Sequence, residues 1–232
     1  KVSDKPRACC DRIFIRQWLL RSILKDVFME GTAASLLQFR NLILKSKKKY
    51  FPLDELMKEE IKKPLTIGED QIEEILKLKI GDSKIIPLLC ELGKRRHASD
   101  IHVDHIWPKS ILTNEKELSR RFKTKNIQVN ENQLKTYKST CNSILNLQLL
   151  EGTRNQEKSN RDYDEWFEKL PENVLDSYFE TNLIPKGISY KLEDLENFWQ
   201  KRGELLRNKI KEAFPDKFED LVNRYNLQDK IK

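Results

Sequence analysis

Ile101-His102-Val103-Asp104-His105-Ile106-Trp107-Pro108 alternates apolar and polar residues, then stops at a proline. That is the pattern of a short strand whose last residues are an acid and an imidazole. A second run, Leu147-Gln148-Leu149-Leu150, has strand character and is closed by Gly152. Thr153 then caps an expected helix running to about Leu170, where Pro171 breaks it. The central order is therefore strand, long insertion, strand, helix.

The chain on either side reads as helix. Ile13, Ile15, Trp18, Leu19, Ile23, Leu24, Val27 and Phe28 recur near helical spacing, with Gly31 as a stop and Thr32 as the next cap. A second helix is expected over 33–48, ending in the basic run Lys45, Lys47, Lys48, Lys49. Pro52 opens a third, with Leu53, Leu56, Met57 and Ile61 on one face, and Pro64 closes it. Residues 69–79 and 83–96 continue the pattern, with Asp82 or Ser83 as a cap and Pro87 in the first turn. Towards the end, Leu192, Leu195, Phe198, Trp199, Leu205, Leu206 and Ile210 form an amphipathic helix that stops before Pro215. The expected fold is mainly α (α+β). Helical regions at 1–99 and 171–232 flank a small core at 100–170, which carries a helical insertion at 111–143.

Bulk composition narrows the function classes. Lys and Arg total 44 against 37 Asp and Glu, a formal net charge of +7. Residues 114–143 hold seven basic side chains against three acidic ones, so this stretch carries more than half of that excess. A basic excess suits a polyanionic partner. The four cysteines contain no C-x-x-C pair, so a thiolate zinc site is not signalled. Scattered cysteines beside many Lys and Glu suit a reducing cytoplasm. No apolar run is long enough to span a membrane, and no secretory signal is visible. The chain opens at Lys1 rather than Met, which leads to the expectation of a longer parent protein.

Asp104-His105, Asn146 and Asn155 carry the chemistry. Cutting a phosphodiester needs an activated water and positive charge at the phosphorane-like transition state. A carboxylate from Asp104 and an amide oxygen from Asn155 are hard ligands suited to Mg²⁺. A neutral His105 can take a proton from water. Neighbouring strand residues point to opposite faces, so Asp104 and His105 converge on one phosphate only where the strand ends or bulges. Asn146, across the hairpin, can hold the His105 backbone in that pose. Singly, each residue has an ordinary reading: Asp-His as a solvated pair, Asn146 in a turn, Asn155 near a helix cap.

Taken together, the residues resemble HNH nucleases. His102-Val103-Asp104-His105-Ile106-Trp107-Pro108-Lys109-Ser110 looks like the D-H-I-x-P-x-S form of the HNH domain in RNA-guided CRISPR nucleases. Asn146, Asn155 nine positions later and then Lys158 match that family's N-x8-N-x2-K arrangement. The Asn146–Leu150 and Asn155–Asn160 steps, and the downstream Leu183-Ile184-Pro185 with Phe198, Arg202 and Leu205-Leu206, resemble most closely the C-terminal part of GmrSD-type modification-dependent restriction enzymes.

The resemblance implies a ββα-metal site in which Asp104 and Asn155 bind one Mg²⁺ or Mn²⁺. His105 is then the general base and Asn146 orients it. The implied activity is that of a DNA endonuclease or nickase, leaving 5′-phosphate and 3′-hydroxyl ends, in bacterial restriction or anti-phage defence. It also implies a partner, either a nucleotide-binding part of a longer chain or a separate defence subunit. The family's Asp-Gly-Gln-Gln-Arg nucleotide-binding motif does not occur in these 232 residues.

Two departures stand out. The interval from His105 to Asn146 is longer than in compact HNH domains, and His102 stands where some members have a carboxylate. Expected DNA contacts are Lys109, Arg120, Arg121, Lys123, Arg154 and Lys158, with His102 as an accessory to the metal and His97 as a surface residue. Trp107, Trp166, Phe198 and Trp199 read as core rather than as stacking platforms. The readings left open are an RNA-cleaving HNH toxin and a module that grips DNA without cutting.

Overall fold

The computed structural model describes residues 5–29, 32–58, 65–95, 100–159 and 161–231. The elements in chain order are α1 (Lys5–Leu24), α2 (Thr32–Lys45), α3 (Leu53–Lys58), α4 (Glu69–Leu76), α5 (Ile85–Leu92), β1 (Ile101–His105), α6 (Lys109–Leu112), α7 (Glu115–Thr124), α8 (Glu131–Thr140), β2 (Leu147–Glu151), α9 (Gly152–Lys158), α10 (Tyr163–Phe167), α11 (Glu172–Asn182), α12 (Leu195–Ala213) and α13 (Phe218–Arg224). The fold is mainly α with one two-stranded antiparallel sheet, as expected. It divides into two compact units, 1–75 with 210–232, and 76–209. The expected divisions near residues 100 and 170 both fall inside the second unit. The expected end of the third helix at Ile61–Pro64, and His97, lie outside the described residues.

The first unit is held by an aromatic core. Phe14, Phe39, Leu53, Leu56 and Leu221 are buried together, and the ring of Trp18 packs on Phe28, Phe39 and Phe51. Its buried Arg21 donates to the carbonyls of Leu65 and Pro215. The cost of burying that guanidinium lowers its pKa to about 10.

The second unit contains the strand–insertion–strand–helix order. Ile106, Trp107, Tyr137, Tyr163, Trp166, Tyr178, Phe198 and Trp199 are buried in one cluster, so the aromatic residues read as core do lie in the core. The insertion is helical. Asn114 caps α7 by accepting the Glu117 N–H, and Asn130 with Gln133 forms a reciprocal capping box on α8.

Two expected features differ. Asp82 accepts the Lys84 N–H, but the helix itself starts at Ile85 without a side-chain cap. The single helix expected from Thr153 to Leu170 is two, α9 and α10, broken after Lys158 where Ser159 takes φ +45. On one straight helix, Lys158 and Tyr163 would lie about 140° apart. Both are buried, and the break lets each reach its own partners.

Among the described residues the sheet is two strands wide, so the outer edge of β2 needs partners. The carbonyl of Asn146 bonds to Ile106 N and the N–H of Gly152 bonds to Asp100 O, so the even-numbered residues face β1. The odd-numbered carbonyls face away, and two arginines cap them. Arg202 on α12 donates to Leu147 O at 2.5 Å and to Leu183 O at 3.1 Å. Arg95 donates to Leu149 O at 2.7 Å and to the Asn182 side chain. Arg202 is fully buried, which lowers its pKa to about 10. Guanidinium groups thus stand in for a third strand.

Candidate functional site

The site is built where β1 ends. In the register of the hairpin, Asp104 lies opposite Gln148 and His105 opposite Leu147. Directly opposed residues project to the same face of a sheet. Gln148, fully buried, accordingly donates from Nε2 to Asp104 Oδ2 at 2.9 Å. Its own Oε1 accepts the Tyr178 hydroxyl at 2.6 Å, and Tyr178 in turn meets the Tyr163 hydroxyl at 3.1 Å. Burial pushes both phenol pKa values up, so both tyrosines remain neutral. This chain ties the Asp104 carboxylate to the core and fixes which way the Gln148 amide faces.

Asp104 Oδ2 has a second partner. Lys158, at the last position of α9, places Nζ 3.0 Å from it and also donates to the His105 carbonyl at 2.5 Å. The Lys158 side chain is 1% exposed and that of Asp104 13%. Burial lowers the Lys158 pKa, while the charge and hydrogen bond of Asp104 oppose that shift. No hydrogen bond among the described residues engages Asp104 Oδ1.

The imidazole of His105 faces elsewhere. Its Nε2 lies 3.0 Å from Asn142 Oδ1. With the Asn142 carbonyl oxygen accepting, Nε2 carries the proton and Nδ1 keeps its lone pair. Asn142 was not among the residues picked from the sequence. A lone Asn in a Ser/Thr-rich stretch has no spacing to distinguish it.

The Asn146 side chain bonds not to the His105 backbone, the expected partner, but to the peptide two residues further on. Fully buried, its Oδ1 accepts the Trp107 N–H at 3.1 Å. Its Nδ2 donates to Trp107 O at 3.0 Å and Cys141 O at 2.9 Å. The side chain thus grips the backbone two residues beyond His105, where the chain leaves β1. Asn155 lies three residues before Lys158 on α9, a helix that packs on both strands, so the two share one flank.

The remaining predicted residues are more dispersed. Lys109 and Lys123 are exposed, and Arg154 is half-buried. Arg120 is 62% exposed but grips Glu117 through both Nε and a terminal nitrogen. Arg121 pairs with Glu117 and Asp162. Hydrogen bonds from Arg120 and Arg121 hold the Glu117 carboxyl down at about 2. Lys158, expected on a solvated face as a phosphate contact, is instead turned inward onto Asp104. His102 shares the strand face of Asp104, but its Nε2 lies 3.1 Å from Asp100 on the surface.

The Asp104 carboxylate, whose Oδ1 has no hydrogen bond among the described residues, is the type of oxygen donor a hard, hydrated cation takes. Among the described residues, no three His, Cys, Asp or Glu side chains gather as a metal cage. One carboxylate and one amide are what Mg²⁺ uses when it keeps most of its waters and draws further oxygens from a phosphate.

Gln148→Leu removes the Asp104 partner and the Tyr178 acceptor. Should Asp104 bind a metal, a variant shown folded by its melting curve is expected to lose about 10- to 100-fold in metal-dependent rate. Equal rates for the variant and the wild type would remove that role.

No curated protein is matched by the chain. The model of the GmrSD restriction endonuclease C-terminal domain matches residues 77–209, more than half of the chain and nearly all of the unit that holds this site. The chain therefore belongs to the GmrSD restriction endonuclease C-terminal domain family, a family of restriction-type nucleases.

Proposed function

We propose that this chain is an HNH-type, divalent-cation-dependent DNA endonuclease or nickase acting in bacterial restriction or anti-phage defence. The observation that carries the reading is the end of β1. There Asp104 and His105 are adjacent, yet separate restraints (Gln148 and Lys158 for one, Asn142 for the other) point them to different tasks.

Asp104, with Asn155 from α9, would hold one Mg²⁺ or Mn²⁺. When bound, the cation supplies positive charge to the phosphate and the leaving oxygen. His105 Nδ1 accepts a proton from the attacking water, while Asn142 holds the other ring nitrogen protonated. Asn146 keeps the turn after β1 in place, so the imidazole does not drift as it takes up charge. The exposed Lys109, Arg120 and Lys123, with Arg154, supply phosphate contacts, which makes DNA binding salt-sensitive. Readout of sequence or modification falls to another part of a longer chain or to a partner subunit.

The test is incubation of the chain with supercoiled plasmid in Mg²⁺ or Mn²⁺. The expected result is conversion to nicked or linear DNA, abolished by EDTA. Tight DNA binding without cutting would replace this reading with a gripping module. Cleavage of RNA but not DNA would move it to a ribonuclease.

A further inference from the structure

Lys158 places a buried positive charge on the carboxylate that the proposed cation would share. Its ammonium is held by Asp104 Oδ2 at 3.0 Å and by a backbone carbonyl, that of His105, at 2.5 Å. Leaving that position would strand the His105 carbonyl and take the positive charge from the Asp104 carboxylate, and the side chain is 1% exposed. The carboxylate cannot easily turn from the ammonium either. Gln148 grips the same oxygen, and Tyr178 pins Gln148. The two charged groups in contact here are one carboxylate and one ammonium, so their charges cancel. A dication entering beside a fixed ammonium is repelled at short range in a partly desolvated site. A phosphodiester brings the missing negative charge.

We infer that Lys158 is a built-in counter-charge that keeps the cation affinity of this site low until DNA phosphate enters, so that cation and DNA bind cooperatively. The inference rests on Asp104 being a cation ligand. It follows that each partner raises the affinity for the other by the same factor. Lys158 is then a tuning residue, and its ammonium need not touch the substrate.

The experiment measures Mn²⁺ affinity of the intact chain by the EPR signal of free Mn²⁺, with and without a DNA duplex bearing a non-hydrolysable phosphorothioate. Wild type, Lys158→Met, Lys158→Arg and Asp104→Asn are compared, with melting curves as the fold control. Without DNA, Lys158→Met should bind Mn²⁺ at least about tenfold more tightly than wild type. Lys158→Arg should stay near wild type, and Asp104→Asn should lose the site. DNA should tighten Mn²⁺ binding strongly in wild type and weakly in Lys158→Met. If methionine unfolds the chain, Lys158→Gln is read in the same way.

Unchanged, weaker or absent Mn²⁺ binding in a folded neutral variant overturns the inference. Metal-dependent plasmid nicking combined with that result would sink the counter-charge alone. Tightening in Lys158→Met without any nicking by wild type would sink the nuclease reading and leave the counter-charge standing.

Discussion

His105→Ala should cut plasmid about a thousandfold more slowly than wild type while binding DNA with nearly the same affinity. A positioned general base contributes about 10²- to 10⁴-fold, and the Ala variant has none. No described residue is placed to substitute. The only other histidine in the described site region, His102, is on the surface beside Asp100, and the Asp104 carboxylate is already engaged by Gln148 and Lys158. The backbone groups that organise the strand end, the His105 carbonyl and the Trp107 peptide, do not depend on the imidazole. Binding should be spared because affinity for a duplex comes mostly from phosphate contacts made elsewhere on the surface. Nicking time courses and fluorescence anisotropy on the same duplex check both halves. A variant that nicks within about tenfold of wild type would show that the proton goes elsewhere.

Asn146→Ala should act on stability first. The wild-type side chain uses both ends of its amide on groups with no access to water: the Trp107 N–H, the Trp107 carbonyl and the Cys141 carbonyl. Alanine leaves all three unpaired, and a stranded buried polar group costs roughly 1–3 kcal/mol. Some relaxation is to be expected, so a loss of about 3 kcal/mol is a reasonable central figure. That corresponds to a fall in Tm of about 10 °C for a domain of this size. Asn146→Asp should not rescue it, because a carboxylate keeps the acceptor but turns a negative oxygen towards two carbonyls. Thermal melts followed by circular dichroism read both variants. A Tm within about 2 °C of wild type would mean that the turn after β1 is held by something else.

Much of the site could be read from local spacing. The alternation at 101–106, the second run at 147–150 and the cap residue Thr153 locate two strands and the start of a helix. Side-chain periodicity is a property of neighbouring residues, so it survives without the fold. The helical character of the flanks was visible for the same reason. The reading of one helix past Lys158 passes over Ser159, Asn160 and Asp162, turn and cap formers that weaken a helix there. The break also lets Lys158 and Tyr163 both be buried.

The amino-acid order alone thus marks Asp104, His105, Asn146 and Asn155 as candidates. Folding decides how they are held. Asn142 meets His105 across 37 positions and Lys158 meets its carbonyl across 53. Arg202 reaches the edge of β2 from 55 positions away. Contacts over such separations leave no periodic trace in a single chain. Whether a lysine faces water or neutralises a buried carboxylate depends on the low-dielectric surroundings that only the packed unit creates.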